Sequence, residues 1–150
     1  MVGAGQPRDT GTPIILLPPE GDPSGCTVSF KQATVTSHAD KWLKFNVISY
    51  CESSQTVMVG NFRTEETPSP LPADCSAAMG PGQAPIFQQD DANRRTARLR
   101  AASPADPEDE DIRLKVRRGA ELPGSGSLTY YFDVCQNGPI AKDPRLIIER

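Results

Sequence analysis

The side chains in this sequence equipped for chemistry are few, and their spacing decides what they can do. There are four cysteines, Cys26, Cys51, Cys75 and Cys135, and a single histidine, His38. None of the cysteines belongs to a Cys-x-x-Cys pair, which argues against structural zinc, whose ligands come in closely spaced pairs. An even number of widely spaced cysteines reads as two disulfides, with buried free thiols as the alternative in a reducing compartment. The expected pairing joins Cys51 to Cys75 and Cys26 to Cys135. The first bond would staple a long Pro-rich connection, contributing on the order of 3 kcal/mol, and the second would tie an early strand to a late one.

Ser37, His38 and Asp40 have the residue types of a hydrolase triad, but they are neighbours in one turn. A triad needs side chains converging from separate elements, so a local turn is the better reading. Asp106, Glu108, Asp109, Glu110 and Asp111 offer oxygen ligands without the spacing or central glycine of an EF-hand, and read as a solvated acidic loop. No Gly-rich phosphate loop, metal triad or nucleophile with a matching base is recognisable, so no cofactor and no enzymatic activity are expected. A hydrolase using two convergent carboxylates would need a pocket that sequence alone does not reveal.

Arg94, Arg95, Arg98 and Arg100 form a basic cluster just ahead of the acidic run. A net charge of -3 and the lack of interleaved aromatics argue against nucleic acid as the partner. Complementary charges this close in sequence pair within the chain or between copies, so these arginines are candidate partner contacts. Trp42, Tyr130 and Tyr131 offer a sugar-stacking platform, although alternation along the chain assigns Tyr130 to the core.

These residues must be positioned by short strands, because fifteen prolines and twelve glycines in 150 residues leave little room for long helices. The clearest strand lies in Ser127 to Glu149, where Leu128, Tyr130, Phe132 and Val134 alternate with polar neighbours, and Asp143-Pro144 introduces a second short strand. Cys26 to Thr36 reads as one strand with a bulge near Gln32, where the alternation changes phase. Lys41 to Tyr50, Thr56 to Thr64 and Ile112 to Val116 read as further strands, the last with one buried and one basic face. Gly60 marks a bulge or a close backbone approach. Pro85-Ile86-Phe87 is a candidate short strand, and Asp90 to Ala102 is the one helix candidate.

Residues 1–24 read as an extended Pro- and Gly-rich arm and residues 25–150 as one domain. Within the arm, Ile14, Ile15, Leu16 and Leu17 are bracketed by prolines and fit an edge strand of the same domain, a strand added to a neighbouring subunit, or a disordered tail. The expected fold is all-β: an antiparallel β-sandwich of immunoglobulin-like architecture, with about seven strands and at most one short surface helix. The ending, from Tyr130 to Glu149, resembles the close of many small bacterial β-sandwich proteins, which implies a fold more than an activity.

The expected function is that of a non-enzymatic structural or assembly subunit, a subunit or decoration protein of a larger particle, filament or surface layer. Its contacts would be the arm residues Ile14 to Leu17 and the arginine cluster, and its partners other subunits, most simply copies of itself. The alternative is a secreted recognition module binding carbohydrate or protein through loops at one end. No apolar run is long enough to span a bilayer, and the start lacks a secretory signal pattern. The expected setting is extracellular or on a particle or virion surface if the cysteines are oxidised, and cytoplasmic if they are reduced.

Overall fold

The computed structural model describes residues 11–21, 25–68 and 71–150. Much of the expected arm, residues 1–10 and 22–24, lies outside them. Ten strands follow in order: β1 (Thr12–Leu17), β2 (Thr27–Ser29), β3 (Thr34–His38), β4 (Trp42–Ser49), β5 (Gln55–Arg63), β6 (Thr96–Leu99), β7 (Glu108–Lys115), β8 (Leu128–Gln136), β9 (Ile140–Lys142) and β10 (Arg145–Glu149). Among the described residues the only helical element is a 3-10 turn, Gly119–Glu121. None is long and apolar enough to cross a membrane.

The strands form two sheets. The first has the order β2-β1-β4-β7, and the second, which is curled, runs β3-β10-β8-β5-β6 with β9 paired to β8. Both are mixed where an antiparallel arrangement was expected, because β1 runs parallel to β4 and β3 parallel to β10. Alternation reveals which residues face inward and says nothing about the direction of a strand's partner.

The sheets meet across an aromatic core. The Phe45 and Phe132 rings, one from each sheet, lie 5.7 Å apart, and Phe62 stacks on Phe132 at 4.9 Å. Around them Ile14, Leu16, Val47, Val59, Ile112, Leu146 and Ile148 are fully buried. Burial of this kind contributes roughly 1.5–3 kcal/mol for each large side chain and is the main stabilising term of the fold.

Three local expectations change. The phase shift near Gln32 is not a bulge: Thr27–Ser29 pairs with β1 in the first sheet, whereas Thr34–His38 pairs with β10 in the second. One apparent strand thus crosses between sheets, keeping Val28 and Val35 both in the core. The acidic run is no loop, since from Glu108 onward it forms the first half of β7, paired residue by residue with β4.

The helix expected at Asp90 to Ala102 is absent as well. Asp90 accepts the Ala92 amide at 2.8 Å in a local turn, and Thr96–Leu99 then pairs with β5. Burial of Ala97 and Leu99 on alternate positions outweighs the helix propensity of the alanines and arginines. The segment before it shields the open edge of β7: Gln88 and Arg94 donate their amides to the Lys115 and Arg113 carbonyls, each at 2.7 Å.

Candidate interaction surface

The outer face of the first sheet follows from the register of its strands. In β4, Leu43, Phe45 and Val47 point into the core, so Trp42, Lys44, Asn46 and Ile48 point away from it. Their partners on β7 are Lys115, Arg113, Asp111 and Asp109 in turn. On β1, Ile15 lies beside Ile48 and Pro13 beside Asn46. One end of this face is therefore aliphatic, with Ile15, Ile48 and the 44% exposed Leu17. Asp109 lies beside Ile48 at this end, Asp111 beside Asn46 in the next row, and the far end carries Lys44, Arg113, Lys115 and Trp42.

Local bonds hold these side chains in place. Asn46 donates its side-chain amide to Asp111 at 2.9 Å. The Lys115 ammonium and the Arg113 guanidinium sit over the Trp42 ring, 5.4 and 5.8 Å from its centre. Arg113 also donates to the Ala92 carbonyl at 3.1 Å.

A second region covers the outer face of the curled sheet, where the Pro-rich connection after β5 folds back over β5 and β8. Gly60 permits this: a side chain there would come within 2.5 Å of the Ala77 carbonyl oxygen. The register between β5 and β8 shifts between Gly60 and Arg63, and Asn61 adopts a positive φ of 57°. Beneath the cover Arg63 and Asp133 form a buried ion pair at 3.2 Å, and Asn61 donates to the same carboxylate at 2.8 Å. Arg63 further donates to the carbonyls of Asn61, Glu65 and Glu66, so the guanidinium is fully engaged in shaping the loop. Clefts of about 250 and 360 Å³ flank the loop at Leu71, which is 66% exposed.

All four cysteines are oxidised, but the pairing is Cys26 with Cys51 and Cys75 with Cys135, not the expected one. Cys26 precedes β2 and Cys51 follows β4, both at the Leu17 end of the first sheet, where the strands flanking β1 bring them together. Cys75 lies on the covering connection and is fastened to β8 beneath it. Two structural disulfides place the chain in an oxidising, extracellular or surface context.

The other sequence candidates fall as follows. Ile14 and Leu16 are fully buried in the core and unavailable to a partner, while Ile15 and Leu17 face outward. A run of four aliphatic residues on a strand must divide in this way between the two faces. Arg94 lies 3.6 Å from Glu110 within the same chain, and Glu110 also accepts the Arg98 amide.

Arg95 donates to the carbonyls of Val59, Cys75 and Ser76, which makes it a fastener of the covering loop; burial lowers its pKa. Arg100 is exposed. Ser37 is buried and His38 is exposed on the other side of β3, so Ser37, His38 and Asp40 do not converge. Trp42, Tyr130 and Tyr131 form no shared platform, because Trp42 lies on the first sheet and Tyr130 is buried within the second. Asp74 titrates below the usual carboxylate range, first because the Ser76 amide and then because the Ser76 hydroxyl bonds it.

The basic half of the outer face was legible in Ile112 to Val116, but its acidic half was hidden in what read as a loop. Comparison with known proteins gives no matching family model and no matching curated protein.

Proposed function

We propose that this chain is a non-enzymatic structural subunit of an extracellular or particle-surface assembly, built on an immunoglobulin-like sandwich and joined to other protein subunits through the outer face of its first sheet. The observation that carries this reading is that face. A regular four-stranded surface presents Ile15, Leu17 and Ile48 together with Trp42 and ordered rows of opposite charge. Aliphatic and aromatic side chains flanked by charge are the composition of a contact surface, in which the apolar part supplies affinity and the charges supply orientation.

Ile48→Lys tests the reading, because it places a charge in the aliphatic strip without touching the core. Light scattering after size exclusion is expected to give a mass above that of one chain for the parent protein and of one chain for the variant. A parent protein that stays monomeric up to millimolar concentration, or an assembly that Ile48→Lys leaves intact, overturns it.

A further inference from the structure

The order of charges on that face identifies the partner it fits. Resting on the reading above, the geometry points to a second copy of this chain as the occupant, stacked face to face with its β4 and β7 running antiparallel to those of the first. The strand register defines four rows across the face: Trp42 with Lys115, Lys44 with Arg113, Asn46 with Asp111, and Ile48 with Asp109. Two rows are basic and two are acidic, and the sign changes once, between the Arg113 and Asp111 rows.

Three ways of laying one such face on another can be compared. A two-fold axis parallel to the strands keeps each row at its own level, so Asp109 and Asp111 approach the same rows of the copy and like charges meet. A translation without rotation turns the wrong face toward the partner. A two-fold axis in the plane of the face and perpendicular to the strands, passing between the Arg113 and Asp111 rows, reverses the order. Arg113 then lies over Asp111 of the second copy, Lys115 over its Asp109, and Trp42 over its Ile48. The opposite relations follow by symmetry, as an isologous contact requires.

Stacked sheets keep their strand directions within about 30° and lie about 10 Å apart, a spacing these side chains fill. Four rows about 6.6 Å apart span about 20 Å along the strands, and four strands about 4.8 Å apart span about 14 Å across them. That is a small interface, so the association is concentration-dependent and weakened by salt.

The test uses the oxidised full chain and two half-reversed variants, Asp109→Lys with Asp111→Lys and Arg113→Glu with Lys115→Glu, in sedimentation velocity at low salt. Each variant alone is expected to bind itself at least about a hundredfold more weakly than the parent, because like charges then face one another. A one-to-one mixture of the two is expected to recover dimer, and so is the variant carrying all four changes.

A mixture that stays monomeric, or half-reversed variants that self-associate like the parent, overturns antiparallel stacking. If the parent assembles and Ile48→Lys abolishes it while the mixture fails, the face remains an interface and only this geometry falls. Circular dichroism confirms that the variants are folded. Should a double change unfold the chain, Asp109→Lys and Lys115→Glu as single variants carry the same mixing experiment through their shared row contact.

Discussion

Among the described residues Asp133 is the only buried carboxylate. Its carboxylate, 2% exposed, faces the Arg63 guanidinium and accepts the Asn61 amide, while its backbone carbonyl faces Cys75. Removing one partner of such a buried pair leaves an uncompensated charge, so Asp133→Ala is expected to destabilise the chain by about 3–5 kcal/mol. The double change of Arg63→Met with Asp133→Leu removes both charges but also unpairs the Asn61, Glu65 and Glu66 carbonyls that Arg63 bonds, so it is expected to cost less than the two single changes, Arg63→Met and Asp133→Leu, added together, which urea denaturation of the three variants measures. Strict additivity would show that the two side chains act independently and not as an ion pair.

None of this network was legible beforehand. Asp133 and Cys135 occupied the polar phase of a strand that alternates cleanly, and a polar phase ordinarily means solvent. What buries them is a connection distant in sequence, whose return across β8 leaves no local periodic signal. Gly60 did announce that return, since a glycine inside a strand marks close backbone approach and the Ala77 carbonyl is what approaches.

At the scale of elements, strand positions were readable and their partners were not. The sandwich-like reading recovered β4, β5, β8, β10 and the second half of β7, because each alternates on its own. It missed that β1 is an interior strand, since an aliphatic run bracketed by prolines has the same local pattern at an edge or in the middle of a sheet. That position changes the meaning of an arm deletion. Removing residues 1–17 takes Ile14 and Leu16 out of the core, unpairs β2 and leaves β4 paired with β7 alone, so it is expected to unfold the domain and to report nothing about assembly.

The covering connection is a different kind of element, with little regular structure and with fastening at Cys75, Arg95 and Arg63. Its disulfide spans 60 residues, for which chain entropy gives about 4 kcal/mol, slightly more than for the 25-residue span of Cys26–Cys51. Replacing Cys75 and Cys135 by serine is therefore expected to lower stability by about 2–4 kcal/mol and to speed amide exchange first in residues 71–83. A chemical denaturation midpoint shifted no further than by loss of Cys26–Cys51, with exchange in that segment unchanged, would assign the fastening to the arginines instead.

For the whole molecule, the decisive property is that pairing is almost everywhere non-local. β1 joins β4, β4 joins β7 across the entire covering connection, and β3 joins β10 at a separation of 111 residues between Thr34 and Arg145. Among the described strands, β1 with β2, β5 with β6 and β8 with β9 pair as consecutive elements, and the whole covering connection separates β5 from β6. Closing long loops before their contacts form raises the folding barrier, so refolding of the oxidised chain is expected on the millisecond-to-second scale or slower, well below the rate of helical proteins of this length.

The disulfides supply the means to check the cause. Each closes a loop that the unfolded chain would otherwise have to search for, and Cys75–Cys135 draws β8 toward the connection that follows β5. If non-local search limits the rate, reducing that bond slows refolding in stopped-flow fluorescence of Trp42, and the loss of stability appears in the folding rate as well as in the unfolding rate. If refolding instead takes microseconds, or reduction changes the unfolding rate alone, the barrier lies in a step after the sheets have met.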